Sequence, residues 1–291
     1  MNDRKPTIAE VIKLAFQDLW ALGQFNLNNP DTAKAIIQAA NESDSPVIVG
    51  VSMTILGAIG LQNLQDLIID AKKDAQTPLF FHLDRAPDFE FIKTVIDLGF
   101  DSVMINPVDI PYDEKIKIIR EVVEYSHARE VCVEAQVASQ RDDETNDEIR
   151  TPANPEEARD FVTKTGIDYL TISLDSSSKS TDGEVDVDID GIQNIASQIP
   201  AFVVVHGGAS VPDKLIRMAI QAGVVKINID HAVRRAISSV FVAKYRSEGY
   251  VTDPRQINKQ VSEAVKKVVQ QKMVLFGSVN KASSFYREIL K

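Results

Sequence analysis

The segment Ala201-Phe-Val-Val-Val-His-Gly207 is a short run of apolar, mostly β-branched residues, and a longer stretch with helical spacing of apolar residues follows it. A second run, Val224-Val-Lys-Ile-Asn-Ile-Asp230, comes next. This alternation is typical of βα units. It recurs along the chain and predicts eight strands, at residues 23–29, 46–52, 78–84, 102–106, 131–137, 169–175, 201–207 and 224–230.

The segments between the predicted strands have the apolar periodicity of amphipathic helices, as in residues 31–40 and 112–124. Near-continuous apolar strands are expected where helices cover both faces of a parallel sheet. Eight consecutive βα units favour closure of that sheet into a (β/α)8 TIM barrel, an α/β fold. A doubly wound open sheet is the alternative, but the first predicted βα turn lacks the G-x-G-x-x-G motif of dinucleotide-binding folds.

The chain continues after the eighth predicted strand for longer than the last barrel helix requires. We therefore expect residues 1–291 to form one barrel domain in which residues 251–291 are a helical extension. The run Val261-Ser-Glu-Ala-Val-Lys-Lys-Val-Val269 has helical spacing of its apolar residues. We expect this extension to pack either beside the barrel or across a dimer interface.

The composition is that of a globular protein with a large core, since 44% of the 291 residues are hydrophobic and 25% are charged. Disordered and fibrous classes are excluded. The net charge of −10 gives no general electrostatic footprint for nucleic acid or for anionic membranes. The single cysteine, Cys132, lies in an apolar run, which predicts a packed thiol in a reducing compartment. With no signal-peptide pattern and no membrane-spanning apolar run, we expect a cytoplasmic protein.

Two long polar segments follow predicted strands. Residues 138–151 are strongly charged, and residues 176–184 are rich in Ser and Asp. In a barrel, the segments that follow strands lie at the carboxyl-terminal face, where active sites are built. Both segments are therefore candidates for site loops, although solvated connecting loops would have the same composition.

Polar side chains stand at the carboxyl ends of the predicted strands, which is where a barrel places catalytic and binding residues. Gly207 and Gly208 follow the seventh strand, and Asn228 and Asp230 end the eighth, in the region where barrels often bind phosphate through backbone N–H groups. An ordinary strand-to-helix turn is the alternative for the glycine pair. The other polar residues at such ends are Asn26, Ser52, His82, Asp84, Arg85, Glu134, Gln136, Asp175, Ser178, Lys179, His206, Ser210 and His231.

Several short motifs lie in a fixed order along nearly the whole chain. Among them are Leu22-Gly-Gln-Phe-Asn-Leu-Asn-Asn29, Gly99-Phe-Asp-Ser-Val-Met-Ile-Asn106, Val133-Glu-Ala, His206-Gly-Gly, Ala222-Gly-Val-Val-Lys-Ile-Asn-Ile-Asp, Asp253-Pro-Arg and Phe276-Gly-Ser. Together they resemble the class II fructose-bisphosphate and tagatose-bisphosphate aldolases, whose first two motifs read G-A-F-N-V-N-N and G-F-x-S-V-M-I-D. Each motif is short, but their number and order make the resemblance specific.

The resemblance implies a barrel enzyme that cleaves a ketose bisphosphate to dihydroxyacetone phosphate and an aldehyde. In the family, zinc held by three histidines is the Lewis acid that stabilises the enediolate formed beside the carbonyl. The three ligand positions are here Arg85, Ser178 and His206, so only the third is a histidine. A catalytic zinc site normally keeps three protein ligands, and arginine is a permanent cation. We therefore expect no ordinary zinc site, and aldolase activity that is weak, altered or lost.

The resemblance also implies roles for residues that match. Asp84 matches the catalytic aspartate that exchanges a proton with the substrate, and the neighbouring Arg85 should keep it ionised; a simple ion pair is the alternative. Ala209 replaces a serine of the family's phosphate-binding motif, so we expect an altered phosphate site. The positions that match substrate or phosphate contacts are Asn26, Ser52, Gly207, Gly208, Asn228 and Asp230, with Ser210 and His231 as substitutions in the same region.

Other sources of electrophilic chemistry stay open. A rebuilt metal site would draw on His206 and His231, together with carboxylates at Asp84, Glu134 or Asp175. A Schiff base would need Lys226 or Lys179 with a pKa lowered by burial. Of the remaining histidines, His127 is expected at a helix end, and His82 should face away from position 85 if the strand alternates regularly.

Two classes of function follow from these observations. The first is an aldolase-family lyase that acts on a ketose phosphate with a modified or metal-free site. The second is a non-catalytic relative that binds a sugar phosphate for sensing, for regulation or in partnership with an active aldolase. The family resemblance further implies a homodimer.

Overall fold

The computed structural model describes residues 5–107, 110–140, 148–150, 155–173, 187–206, 211–248 and 253–289. Eight of its strands close into a parallel barrel, in the spatial order β1-β10-β9-β8-β5-β4-β3-β2, and β6 pairs antiparallel with β7. The strands are β1 (Leu22–Asn26), β2 (Val47–Ser52), β3 (Leu79–Ala86), β4 (Ser102–Ile105), β5 (Cys132–Ala135), β6 (Ala138–Gln140), β7 (Glu148–Arg150), β8 (Tyr169–Ser173), β9 (Phe202–His206) and β10 (Val224–Ile229).

The closed barrel confirms the predicted α/β fold. Each of the eight predicted segments overlaps one barrel strand, with ends that differ by a few residues. The prediction succeeds because the barrel strands are buried on both faces, as in β1 and β10, where every residue is buried. Asp175 and Gly207, which the prediction placed at strand ends, lie outside the described residues.

Helices surround the barrel, and local capping signals define their ends. Asn29 caps α2 in a reciprocal pair with Thr32, and Pro30 is the first helical residue. Gly277 ends α11 with a φ of 72°, a conformation that favours glycine. The helices are α1 (Ile8–Gln17), α2 (Pro30–Ser43), α3 (Met53–Ile59), α4 (Leu61–Asp74), α5 (Phe89–Ile96), α6 (Tyr112–His127), α7 (Pro155–Thr165), α8 (Ile189–Gln198), α9 (Asp213–Gln221), α10 (His231–Glu248), α11 (Pro254–Phe276) and α12 (Lys281–Ile289).

Helix α1 closes the amino-terminal end of the barrel, an element that the sequence analysis did not predict. Its apolar residues, among them Ile8 and Ile12, form one buried cluster with Leu22, Phe80 and Tyr169 from the beginnings of barrel strands. Because this end is filled by side chains, the carboxyl-terminal end is the one left for a site.

Helix α11 packs against α2 and α10 beside the barrel, which is the first of the two predicted arrangements. Its buried residues recur every fourth position, at Ile257, Val261, Val265, Val269 and Met273. This spacing places one apolar stripe against the neighbouring helices. Across the described part of the chain, no helix combines the length and apolar character needed to cross a membrane.

The two long polar segments have different outcomes. Strands β6 and β7 form a short hairpin inside the segment predicted as a loop at 138–151, and residues 141–147 lie outside the described residues. The segment 176–184 lies entirely outside them. The hairpin was missed because its strands are three residues long and highly polar.

Candidate active site

A bulge ends the regular alternation of β3 at the mouth of the barrel. The pairing of β3 with β4 shifts between Leu83 and Ala86, and Arg85 has a φ of 58°. Positive φ is uncommon for a residue with a Cβ atom, and bulges often lie beside active sites. The regular alternation that was expected to separate His82 from Arg85 therefore does not extend to position 85.

Asp84 is the half-buried carboxylate at this bulge. Asn26 Nδ2 donates to Asp84 Oδ2 at 3.2 Å, while Asp84 Oδ1 is buried and has no hydrogen-bond partner among the described residues. Burial alone would raise the pKa of Asp84, but the neighbouring His206 and Arg85 and the bond from Asn26 lower it below the ordinary 3.8. Asp84 is thus held as a carboxylate with one oxygen available.

Glu134 on β5 is the centre of a buried polar network. Its Oε2 accepts from Lys226 Nζ at 2.7 Å, and its Oε1 accepts from Thr171 Oγ1 at 2.5 Å. Burial opposes ionisation of Glu134, yet Lys226 and the bond from His206 hold its pKa well below the ordinary 4.5. Because Glu134 and Lys226 are both fully buried, either charge would be costly without the other.

The imidazole of His206 belongs to the same network. His206 Nε2 lies 2.9 Å from Glu134 Oε1 and 2.7 Å from Asn228 Nδ2. Asn228 Oδ1 in turn accepts from Lys226 Nζ at 2.8 Å. A ring nitrogen either donates to Glu134 or accepts from Asn228, so Nε2 of His206 is engaged by one of these two side chains at a time. Lys226 is held in an ion pair, which is unfavourable for a Schiff-base amine.

His82 is a structural histidine of the barrel interior. Its Nδ1 lies 2.8 Å from Ser102 Oγ, and its Nε2 lies 3.8 Å from Glu134 Oε2. Burial and the charge of Lys226 lower the pKa of His82 to about 3. His82 is consequently neutral at physiological pH.

The donors at this mouth that the structure describes do not by themselves fit an ordinary zinc ion. Among the residues that the structure describes, no group of three or more His, Cys, Asp or Glu side chains is arranged to hold a metal. One of the implied ligand positions is the cation Arg85, and the Nε2 atom of His206 is engaged by Glu134 or Asn228. The remaining position, Ser178, lies outside the described residues.

The other predicted site residues have varied surroundings. Ser52 Oγ accepts from Ile55 N at 3.4 Å and caps α3, and Asp230 forms an ion pair with Arg234 at 2.6 Å. His231 is exposed at the first position of α10. The residues Gly207, Gly208, Ser210, Asp175 and Lys179 lie outside the described residues.

Two residues beside the site residues were not singled out from the sequence. Gln24 contacts Asn26, and Thr171 contacts Glu134. Gln136, which was a candidate, donates to Asn106. A usable signal was present, because a polar residue two positions from a site residue on a buried strand points to the same side of the sheet. Gln24 lies two positions before Asn26 on β1.

Comparison with known proteins identifies the family of this barrel. The family described as "Fructose-bisphosphate aldolase class-II" matches residues 6–281. The chain belongs to the class II fructose-bisphosphate aldolase family. A fructose-bisphosphate aldolase of Geobacillus stearothermophilus is 35% identical over 95% of this chain and 98% of its own length. One of Staphylococcus epidermidis is 34% identical over the same shares of the two chains.

Solved structures of two aldolases share the fold. The YdjI aldolase of Escherichia coli K12 superposes with a TM-score of 0.82 and 23% identity, over 95% of this chain and 99% of its own. The fructose-bisphosphate aldolase of Campylobacter jejuni superposes with a TM-score of 0.78 and 19% identity, over 96% and 98%. The aldolase-family barrel is thus preserved along the whole length of these proteins.

Proposed function

We propose that this member of the class II aldolase family binds a ketose phosphate at the mouth of its barrel, with aldol cleavage to dihydroxyacetone phosphate weakened, altered or lost. The observation that carries the proposal is Arg85. It stands where the family places a histidine ligand, beside the half-buried carboxylate of Asp84. A guanidinium at that point supplies positive charge to the site but cannot bind a metal ion.

The negative charge that forms during the reaction explains why the residue at position 85 is important. Aldol cleavage breaks the bond between the α and β carbons of the substrate. The β-hydroxyl gives up its proton and becomes the carbonyl of the aldehyde, and the bonding electron pair is left on an enediolate, which is then protonated to give dihydroxyacetone phosphate. In the family, zinc stabilises the enediolate. Here Arg85 is the nearby cation, and a guanidinium stabilises negative charge through hydrogen bonds rather than by coordination. Activity in this chain would therefore depend less on zinc than activity in its relatives.

Asp84 is proposed as the group that exchanges a proton with the substrate. Its lowered pKa keeps it ionised, and Oδ1 has no partner among the described residues, so a proton can be accepted there. Asp84→Ala should abolish any lyase activity that the protein has. Residual turnover in that variant would assign the proton transfer to another residue.

The phosphate of the substrate is proposed to lie near the ends of β9 and β10. Asn228, Asp230 and His231 are the described members of this group, and Gly207, Gly208 and Ser210 complete the proposed set. Backbone N–H groups of a glycine pair suit an anion because the chain can approach it closely. Since Ala209 and Ser210 replace family residues, we propose that the phosphate is bound more weakly than in the relatives.

A non-catalytic sugar-phosphate-binding or regulatory role is the second candidate. It is favoured by the engagement of His206 Nε2 with Glu134 or Asn228, which leaves that atom committed to the protein. Such a protein would bind a ketose phosphate without cleaving it. Binding without turnover separates this candidate from the first.

We also propose a cytoplasmic homodimer. Helix α10 exposes Phe241, Val242 and Tyr245 at 43%, 48% and 68%, an apolar surface suited to a second copy of the chain. The buried free thiol of Cys132 suits a reducing compartment. Sedimentation equilibrium should give the mass of two chains, and Tyr245→Asp should shift it towards one; a monomeric unmodified protein would contradict the dimer.

The first experiment measures dihydroxyacetone phosphate release from fructose and tagatose bisphosphates, with added zinc and with a chelator, beside calorimetric binding of each sugar. Weak or absent turnover that the chelator does not change supports the proposed loss of zinc dependence. Binding without turnover selects the non-catalytic candidate. Efficient zinc-dependent turnover would contradict the inference from Arg85 and Ser178.

A further inference from the structure

A chain of hydrogen-bonded side chains runs from the interior of the barrel to Asp84. Gln24 and Asn26 are two residues apart on β1 and therefore point to the same side of the sheet. Gln24 Nε2 donates to Asn26 Oδ1 at 3.1 Å, and Asn26 Nδ2 donates to Asp84 Oδ2 at 3.2 Å. Gln24 is fully buried and Asn26 nearly so, which shields both bonds from competition by solvent.

The charge of Asp84 determines the direction of both bonds. A carboxylate only accepts hydrogen bonds, so Asn26 must present its NH2 group to Asp84. The amide oxygen of Asn26 then faces Gln24, which must donate through its own NH2 group. Reversing either amide would bring two acceptors together and lose a bond. Gln24 thus holds the amide oxygen of Asn26 while the NH2 group of Asn26 faces the carboxylate.

Gly50 provides the space for this arrangement. It lies on β2 directly opposite Asn26 in the pairing of the two strands. A Cβ atom at position 50 would overlap Asn26 Oδ1 and would lie 2.7 Å from Gln24 Nε2. Any side chain at position 50 would therefore displace both amides. Gln24 and Gly50 are complementary, since the long side chain at one position occupies space that the other leaves open.

We propose that Gln24 is a positioning residue that, in the space left by Gly50, orients Asn26 and through it the carboxylate of Asp84. The proposal rests on the proposed function, in which Asp84 exchanges a proton with the substrate. The family's G-A-F-N motif has alanine where this chain has Gln24, and alanine has no amide to donate. With Oδ2 held by Asn26, Oδ1 is the oxygen of Asp84 left for the substrate.

The test exchanges Gln24 for methionine, which has similar length and no amide, in the full-length protein. The readout is the side-chain NH2 resonance of Asn26 in protein labelled with [15N]asparagine, assigned by its loss in Asn26→Asp. Asp84→Ala defines the shift that follows loss of the carboxylate acceptor. Gln24→Met should move the resonance in the same direction, whereas Gln193→Met, at an exposed position, should not. An unmoved resonance in Gln24→Met overturns the proposal.

A second pair of variants tests the same positioning role by a substitution on β2. Gly50→Ala should displace both amides and shift the Asn26 resonance as Gln24→Met does. Gly57→Ala is the matched control, because a Cβ atom there would meet no other atom within 4 Å. A Gly50→Ala spectrum identical to that of Gly57→Ala would also overturn the proposal, and this pair decides the question if Gln24→Met fails to fold.

An activity measurement links the positioning role to catalysis. In protein with measurable lyase activity, Gln24→Met should lower kcat by about ten- to a hundredfold, with KM nearly unchanged. This is the effect of losing one hydrogen bond to a charged group, here the bond from Asn26 to Asp84. A purely structural role would reduce the folded fraction but leave kcat per folded molecule intact. Absence of activity in the unmodified protein, with the sugar phosphate still bound, would select the non-catalytic candidate, and failure to bind any ketose phosphate would contradict the proposed function; the NMR test of positioning is decisive in either case.

Discussion

At the scale of single residues, charged side chains at the barrel mouth lie side by side in pairs that neither the strand pattern nor the composition reveals. Asp84 and Arg85 are adjacent in sequence, but a bulge and a positive φ at Arg85 determine their relation in space. Glu134 and Lys226 are far apart in sequence and form a fully buried ion pair at 2.7 Å. Sequence motifs could name these residues as candidates, but only the closed barrel specifies their partners.

Cys132 offers a test of burial at the start of β5. Burial, together with the charge of Asp168, raises the pKa of the Cys132 thiol to about 12 from an ordinary 9.0. The native protein should therefore react slowly with a thiol reagent at pH 9, and the unfolded protein should react rapidly. Because the chain has one cysteine, the measured reaction belongs to Cys132 alone. Equal rates for the native and the unfolded protein would contradict the packed thiol.

The same shift predicts a dependence of stability on pH. Between about pH 9 and pH 12 the unfolded thiol loses its proton while the folded thiol keeps it. The unfolded state then binds fewer protons, so the free energy of unfolding should fall as the pH rises through this range. Urea unfolding of the protein and of Cys132→Ala measures it, and the loss should be smaller in the variant. Equal losses would assign the effect to other groups.

Restoring the family's histidines tests the interpretation of the metal site. Arg85→His combined with Ser178→His should allow the protein to take up about one zinc ion per chain, since three histidines suffice for a catalytic zinc site. Competition with a chromophoric chelator measures the uptake. Arg85→Met with Ser178→Ala is the matched control, because it removes the cation without adding ligands. No uptake by the histidine variant would mean that His206 stays committed to Glu134 or Asn228.

At the scale of elements, local sequence signals determine where helices begin and end, and long-range packing determines where the helices lie. The capping residues of α2 and the glycine that ends α11 follow from local chemistry. The position of α1 depends instead on its burial in one apolar cluster with residues from the beginnings of barrel strands, including Leu22 and Tyr169. Periodicity predicts that a helix buries one face, but it does not say which surface that face will cover.

Helix α1 is predicted to contribute strongly to stability by filling the amino-terminal end of the barrel. Ile12 is fully buried there, so Ile12→Ala should lower the free energy of unfolding by about 2–5 kcal/mol. Lys13→Ala, at the next and exposed position, is the matched control and should have little effect. Urea unfolding followed by circular dichroism measures both. A small effect in Ile12→Ala would show that α1 does not close the barrel in solution.

At the scale of the whole molecule, the carboxyl-terminal part of the chain packs against the amino-terminal part. β1 pairs with β10 to close the barrel, and α11 packs against α2, with Lys266 and Gln270 bonded to Glu42 at 3.2 and 2.8 Å. These contacts join the carboxyl-terminal helices to the first βα unit. They support the proposal that residues 1–291 form one domain.

This proposal predicts a single unfolding transition. Ile257 is buried in the first turn of α11, so Ile257→Ala should destabilise the entire fold by about 2–5 kcal/mol. Fluorescence of Trp20 and circular dichroism should then shift together in urea, as two-state behaviour requires. Lys259→Ala, at an exposed position, is the control. Two separate transitions in the circular dichroism of Ile257→Ala would identify residues 251–291 as a separate unit.

The sequence by itself determined the eight strands, the closed barrel and the family, because buried parallel strands are apolar along their whole length and helices mark the intervals between them. It also named Asp84, Arg85, His206 and Asn228 as candidates, through motifs at strand ends. The tertiary structure alone decided that Glu134 holds His206, that Gln24 orients Asn26, and that α1 fills one end of the barrel. These contacts join residues remote in sequence or depend on side-chain direction, which only barrel closure and its register fix.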